Sequence, residues 1–89
     1  MIRVKFGKGF DKKYQDLVKT DEDLRQLTFL KIELFKNNPD DTRLDNHPLK
    51  KKMEGKWAFS ITDNIRIVYE FAGKNTVRFL AIGGHEKVY

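Results

Sequence analysis

The chain has no cysteine, which excludes disulfide staples and thiolate metal sites. It has only two histidines, His47 and His85, far apart in the sequence. No pair of acidic residues is spaced for metal ligation, so no metal and no cofactor is expected. Long apolar runs are missing too. The opening Met1-Ile2-Arg3-Val4-Lys5-Phe6 has no long apolar run, so a cleaved signal peptide is not expected, and no stretch suits a bilayer span. A reducing, cytoplasmic location fits these absences. Gly83-Gly84 follows an apolar run with no helix pattern after it, so a glycine-rich phosphate cradle is not expected. No serine–histidine–aspartate array, internal repeat or linker is evident.

What is present suits one small domain over residues 1–89 with one core. Hydrophobic residues are 39% and aromatics 12%. Charged residues are 35% and scattered, which argues against wholesale disorder. Lys and Arg number 18 against 13 acids, a net charge of +5. That excess favours a polyanion or an acidic protein as partner; a merely soluble basic protein accounts for it equally well.

Hydrophobic periodicity predicts the elements. Ile2, Val4 and Phe6 alternate with Arg3 and Lys5, a half-buried strand. Phe10, Tyr14, Leu17 and Val18 recur at helical spacing and predict a helix over residues 9–19. Thr20 begins Thr-Asp-Glu-Asp, an N-cap followed by acids that suit a helix N-terminus. The second helix is predicted over 21–37, with Leu24, Leu27, Leu30, Ile32, Leu34 and Phe35 inside, stopped by Asn37-Asn38-Pro39. With almost no linker the two helices should form an antiparallel hairpin. Residues 39–56 read as polar, basic and irregular.

Period two then returns. Trp57, Phe59 and Ile61 alternate with small or polar residues, as do Ile65, Ile67, Tyr69 and Phe71. Turns are expected at Asp63-Asn64 and at Gly73-Lys74-Asn75. Residues 76–82 are apolar on both faces, so that strand should be central. A two-residue loop at 63–64 would pair Ile61 with Arg66 and carry Arg66 into the core. A three-residue loop, Thr62-Asp63-Asn64, pairs Ile61 with Ile65 and leaves Arg66 on an open face with Ser60 and Val68. Slipping one residue flips every side chain, so burial selects the three-residue loop. The predicted fold is a two-layer α+β domain, β-α-α-β-β-β, with both helices on one face of a four-stranded sheet.

The residues suited to chemistry lie in the second half: His47, the run Lys50-Lys51-Lys52, Lys56, Arg66, His85 and Tyr89. Each has an ordinary alternative. His47 can be a loop residue before Pro48, and His85 can cap the end of the last strand. The lysines can form a solvated turn. Arg66 can pair with Glu70 across the open face. Trp57 reads as core.

Four segments in order, His47-Pro48-Leu49-Lys50, Gly55-Lys56-Trp57, Ile65-Arg66-Ile67-Val68-Tyr69 and Ile82-Gly83-Gly84-His85-Glu86-Lys87-Val88-Tyr89, resemble the RelE/ParE toxin superfamily. Within it the likeness is to the RelE and YafQ/YoeB-like mRNA interferases. The resemblance implies a RelE-like fold, with two helices on a small twisted sheet. It further implies metal-independent endoribonuclease activity on mRNA at the ribosome, and a cognate antitoxin that silences a toxin expected to be monomeric in isolation.

Metal-free RNA cleavage by the ribose 2′-OH needs a base, a cation for the phosphorane and an acid for the departing 5′-oxygen. By the resemblance, His47 falls at the family's base position and Arg66 on its strand arginine. His85 falls near its acid, and Tyr89 at the C-terminal aromatic that stacks on or orients a nucleotide. Lys50, Lys51, Lys52 and Lys56 would bind RNA phosphates. Ser60 stands where several relatives carry Arg or His, Asn64 where some carry Asp, and Gly83-Gly84 where some carry basic residues. The site is leaner for it. A ParE-like gyrase inhibitor and an inactive binding protein of the same fold remain as alternatives.

Overall fold

The computed structural model describes residues 1–84; His85 and Tyr89 therefore lie outside the described residues. The chain begins with strand β1 (Arg3–Phe6), then helices α1 (Phe10–Val18) and α2 (Glu22–Asn37). Four strands follow: β2 (His47–Pro48), β3 (Trp57–Ser60), β4 (Ile65–Gly73) and β5 (Thr76–Gly84). They form one sheet in the order β1-β5-β4-β3-β2. β1 runs parallel to β5 and the other pairs are antiparallel. The α+β class and the helix hairpin are as the periodicities predict. No helix among the described residues is long and apolar enough to cross a membrane.

Local chemistry sets the element ends. The N-cap of α2 is Asp21, one residue later than the sequence suggests; its carboxylate accepts from the Leu24 amide at 2.9 Å. Glu22 and Asp23 occupy the first turn, where the helix dipole favours acids. At the other end the Asn38 amide donates to the Leu34 carbonyl before Pro39 ends the run. Gly7 follows β1 because a Cβ there would lie 2.8 Å from the Phe79 carbonyl oxygen.

The main core lies between the helices and the sheet. Phe35, Phe59, Tyr69 and Phe79 are all within 1% of complete burial. The Phe35 and Phe59 rings stack with centroids 4.3 Å apart, and Phe10, Leu44, Ile61, Ile67 and Val77 complete the cluster. Two expectations fail here. Leu30 is exposed, because the inward stripe of α2 runs through Leu24, Thr28, Ile32 and Phe35, and a residue two positions from 28 and from 32 points away. Phe6, at the end of β1, is exposed as well, its ring resting on Phe10 and Phe79.

The β3–β4 register is the one that burial demands. Phe59 lies opposite Ile67 and Ser60 opposite Arg66. The Ile61 amide donates to the Ile65 carbonyl at 2.8 Å across the loop 62–64. The Thr62 hydroxyl accepts from the amides of Asn64 and Ile65, a side-chain turn that fixes the loop.

The segment 39–56 departs most from expectation. It adds a fifth strand, β2, on the sheet edge, where Pro48 needs no donor partner. It also forms two short 3-10 turns, Thr42–Leu44 and Lys51–Met53. From it Leu49 and Met53 fold over the second face of the sheet, onto Ala58, Val68, Leu80 and Ala81. That face is thus partly covered rather than open. β5 lies inside the sheet, but β4 is its middle strand.

Candidate functional site

The pleat decides which side chains meet on the second face. Cross-strand partners share a face, and so do alternate residues of one strand. His47 pairs with Ala58, which pairs with Val68. The next row on the same face is Ser60, Arg66 and Gly83. His47 and Arg66 therefore project from the same side, in rows roughly 7 Å apart along the strands.

Arg66 is held at its inner side. Its Nη1 donates to the Ser60 hydroxyl, and its Nη2 donates to the Asp63 carbonyl at 3.4 Å. Nη1 also lies 3.7 Å from a carboxylate oxygen of the exposed Asp45 side chain. Its Nε is buried and has no partner among the described residues. The Arg66 side chain is 18% exposed, a largely covered cation with donor capacity to spare. Glu70 is not its partner, since Glu70 pairs with Arg78 at 3.0 Å.

His47 sits on a fixed base. Leu44, three residues before it, is fully buried. Asn46 accepts from the Tyr69 hydroxyl at 2.6 Å and donates to the Pro39 carbonyl at 3.2 Å. Burial of the Tyr69 phenol pushes it up to about 12, so it stays a donor at neutral pH. Asp41 caps the turn Thr42–Leu44 and binds the Arg43 side chain through both carboxylate oxygens. Those hydrogen bonds hold the Asp41 carboxyl down at about 2. The Asp45 carbonyl then lies 2.7 Å from Nδ1 of His47. A carbonyl only accepts, so in the neutral ring Nδ1 carries the proton and Nε2 keeps the lone pair.

Lys50, Lys51 and Lys52 are exposed and Lys56 is half-buried. Their segment is a closed turn rather than a loose one. The Met53 amide donates to the Lys50 carbonyl, Glu54 to Lys51, Lys56 to Met53, and Leu49 to Lys56. Leu49 and Met53 anchor this turn on the sheet, so the lysines project to solvent beside β2. Trp57 packs with the main core, edge-on to Phe71.

Of the expected site residues, His47 and Arg66 share this face, and the lysine run lies on the exposed turn that follows β2. Asp45, Asn46 and Tyr69 support them and escaped sequence reading. Asp45-Asn46 looks like any polar loop pair, and Tyr69 looks like core, which it also is.

Among the described residues no three His, Asp or Glu side chains group closely enough to hold a metal ion. Over residues 2–89 the sequence matches the family described as bacterial toxin of type II toxin–antitoxin system, YafQ. The chain belongs to this family. It is thereby a type II toxin of the RelE/ParE-like superfamily. No curated protein matches the sequence. Among solved structures, a metal-bound toxin from Helicobacter pylori is similar at a TM-score of 0.80 and 24% identity, with 100% of both chains covered. A YoeB/ParE toxin from Agrobacterium tumefaciens gives 0.78 and 22%, covering 94% of this chain and 99% of its own. YafQ in the DinJ–YafQ complex from E. coli gives 0.76 and 21%, covering 100% and 99%. At these identities the likeness speaks for the fold of the YafQ-family toxin.

Proposed function

We propose that this YafQ-family toxin is a metal-independent endoribonuclease that cuts mRNA on the ribosome. The observation that carries the reading is the shared face: an imidazole whose Nδ1 is held by a backbone carbonyl and a half-satisfied guanidinium in adjacent rows of one sheet. In this reading Nε2 of His47 takes the proton of the ribose 2′-OH as the 2′-oxygen attacks phosphorus. Arg66 offsets the charge of the phosphorane, where a planar fork of donors matches two phosphate oxygens. His85 gives a proton to the departing 5′-oxygen, and Tyr89 orients the nucleotide. The P–O5′ bond breaks, leaving a 2′,3′-cyclic phosphate and a 5′-hydroxyl. Lys50, Lys51, Lys52 and Lys56 hold flanking phosphates.

A cognate antitoxin is the second partner in this reading. The net charge of +5 suits an acidic antitoxin segment that folds as it binds. The similar structure of a DinJ–YafQ complex supports a protein partner of this kind.

The test is to add the purified toxin to translating ribosomes and map the mRNA ends. Cleavage is expected to be unaffected when the toxin is treated with EDTA and desalted before it is added, and to yield 2′,3′-cyclic phosphate ends, with a bell-shaped pH profile if one histidine acts neutral and the other charged. A wild-type toxin that leaves mRNA intact on ribosomes, and instead blocks gyrase, would replace this reading with the ParE-like one.

A further inference from the structure

Asp45 touches both groups of the candidate site, through different atoms. Its backbone is left-handed, at φ 48° and ψ 45°, a conformation that Asp and Asn tolerate and β-branched residues do not. Its amide closes the turn Thr42–Leu44 by donating to the Thr42 carbonyl. With Leu44 buried below and Asn46 pinned by Tyr69, the Asp45 carbonyl has one direction available, onto Nδ1 of His47. The side chain leaves the other way. It is 69% exposed, and its carboxylate lies 3.7 Å from Nη1 of Arg66, the nitrogen that also donates to Ser60. An RNA phosphate that pairs with Arg66 would meet this exposed carboxylate at the same nitrogen.

We propose that Asp45 is the positioning residue of this site. Its carbonyl keeps Nε2 of His47 free to act as base, and its carboxylate is an anionic placeholder on Arg66 that an RNA phosphate displaces. The placeholder spares a buried guanidinium from standing uncompensated and makes RNA compete for it. The carboxylate of the pair is exposed and 3.7 Å away, so the pair is weak and its displacement costs RNA little. The inference rests on the endoribonuclease reading for the identity of the phosphate, but the tautomer and the ion pair are properties of the resting protein.

The two roles separate by substitution. Asp45→Asn and Asp45→Gly both accept the left-handed backbone and keep the carbonyl, but lose the anion. Both should bind an uncleavable 2′-deoxy-substituted oligoribonucleotide about 2- to 5-fold more tightly than wild type. KM on ribosomes should fall in parallel, with kcat held within about twofold. Asp16→Asn, on α1 and paired among the described residues with Lys12, controls for bulk charge and should change neither value. Imidazole nitrogen NMR of His47 should show Nδ1 protonated and Nε2 bare in wild type and in both variants. Asp45→Val, whose branched side chain resists this backbone and which also lacks the anion, should lose that tautomer preference and most of kcat, with KM lowered as in the Asn and Gly variants. Should Asp45→Val not fold, the Asn and Gly variants still decide. A His47 protonated on Nε2 in the neutral wild-type protein would overturn the role of the carbonyl. RNA affinity no tighter in Asp45→Asn than in the Asp16 control would overturn the role of the carboxylate. Neither result bears on whether the toxin cuts mRNA, and absence of cleavage would leave both resting-state measurements standing.

Discussion

The two faces of the sheet are built on opposite terms. The helix-covered face is a dense layer of rings, with Phe35, Phe59, Tyr69 and Phe79 all but fully buried and in mutual contact. The second face has small residues, Ala58 and Val68, under a thin cover of Leu49 and Met53. Beyond that cover stand His47, Ser60 and Arg66 in polar surroundings. One face spends its side chains on cohesion; the other leaves donors and a lone pair unfilled. Stability and chemistry should therefore respond to different substitutions.

The sharpest way to break this comparison is a crossed pair of variants. Phe35→Ala should cost about 3–5 kcal/mol of unfolding free energy, read by urea denaturation. His47→Ala, His85→Ala and Arg66→Ala should each lower the rate of mRNA cleavage by about 10²–10⁴-fold while their denaturation midpoints stay close to wild type. If His47→Ala unfolds the protein, or cleaves at the wild-type rate, the two faces are not divided in this way.

The lysine turn gives a milder test on the second face alone. Replacing Lys50, Lys51 and Lys52 together by Ala should weaken RNA binding and flatten its dependence on salt. For single strands the slope of log K against log salt changes by roughly 0.7 for each phosphate no longer neutralised. Because Leu49 and Met53 anchor the turn, its stability should be little affected. An unchanged slope would make the run a solvated turn and nothing more.

The same division explains what the sequence revealed. On the helix face, position follows from period: Phe59, Ile67 and Phe35 are where alternation or helical spacing puts them. Leu30 misleads only because leucine at an exposed helix position looks no different from leucine in the stripe. Arg66 is a second-face residue, yet its face was legible, since burying its neighbours forces the loop 62–64 and hence its side. The rest of the second face depends on residues 39–56, where no period exists. Leu49 and Met53 are isolated apolar residues whose partners are remote in sequence. Asp45 acquires its role from a left-handed backbone and from an arginine on another strand, and neither is written in its neighbours. His47 stood out only because histidine is scarce here and the flanking motif resembles a toxin family.

Tyr69 joins the two faces, and it offers the finest test of how they are coupled. Its ring belongs to the aromatic core, edge-on to Phe35 at 4.9 Å, while its hydroxyl donates to Asn46 in the segment that carries His47. Tyr69→Phe keeps the ring and leaves the Asn46 oxygen without this donor, which should cost about 1–2 kcal/mol at neutral pH. The pH dependence identifies the cause. Burial raises the Tyr69 hydroxyl from 10.0 to about 12, so between those values the unfolded chain loses a proton that the folded one keeps. Stability held in this way is complete below pH 10 and is lost as pH rises through 10 toward 12. The phenylalanine variant has no such proton. The stability gap between wild type and Tyr69→Phe should therefore be constant up to about pH 10 and narrow from there to pH 12. Lysine titration affects both proteins alike and drops out of the difference. Denaturation midpoints of the two proteins at pH 8 and pH 11 decide the matter; a gap of the same size at both would mean that the hydroxyl is not buried against Asn46, and that the base under His47 is held by Leu44 alone.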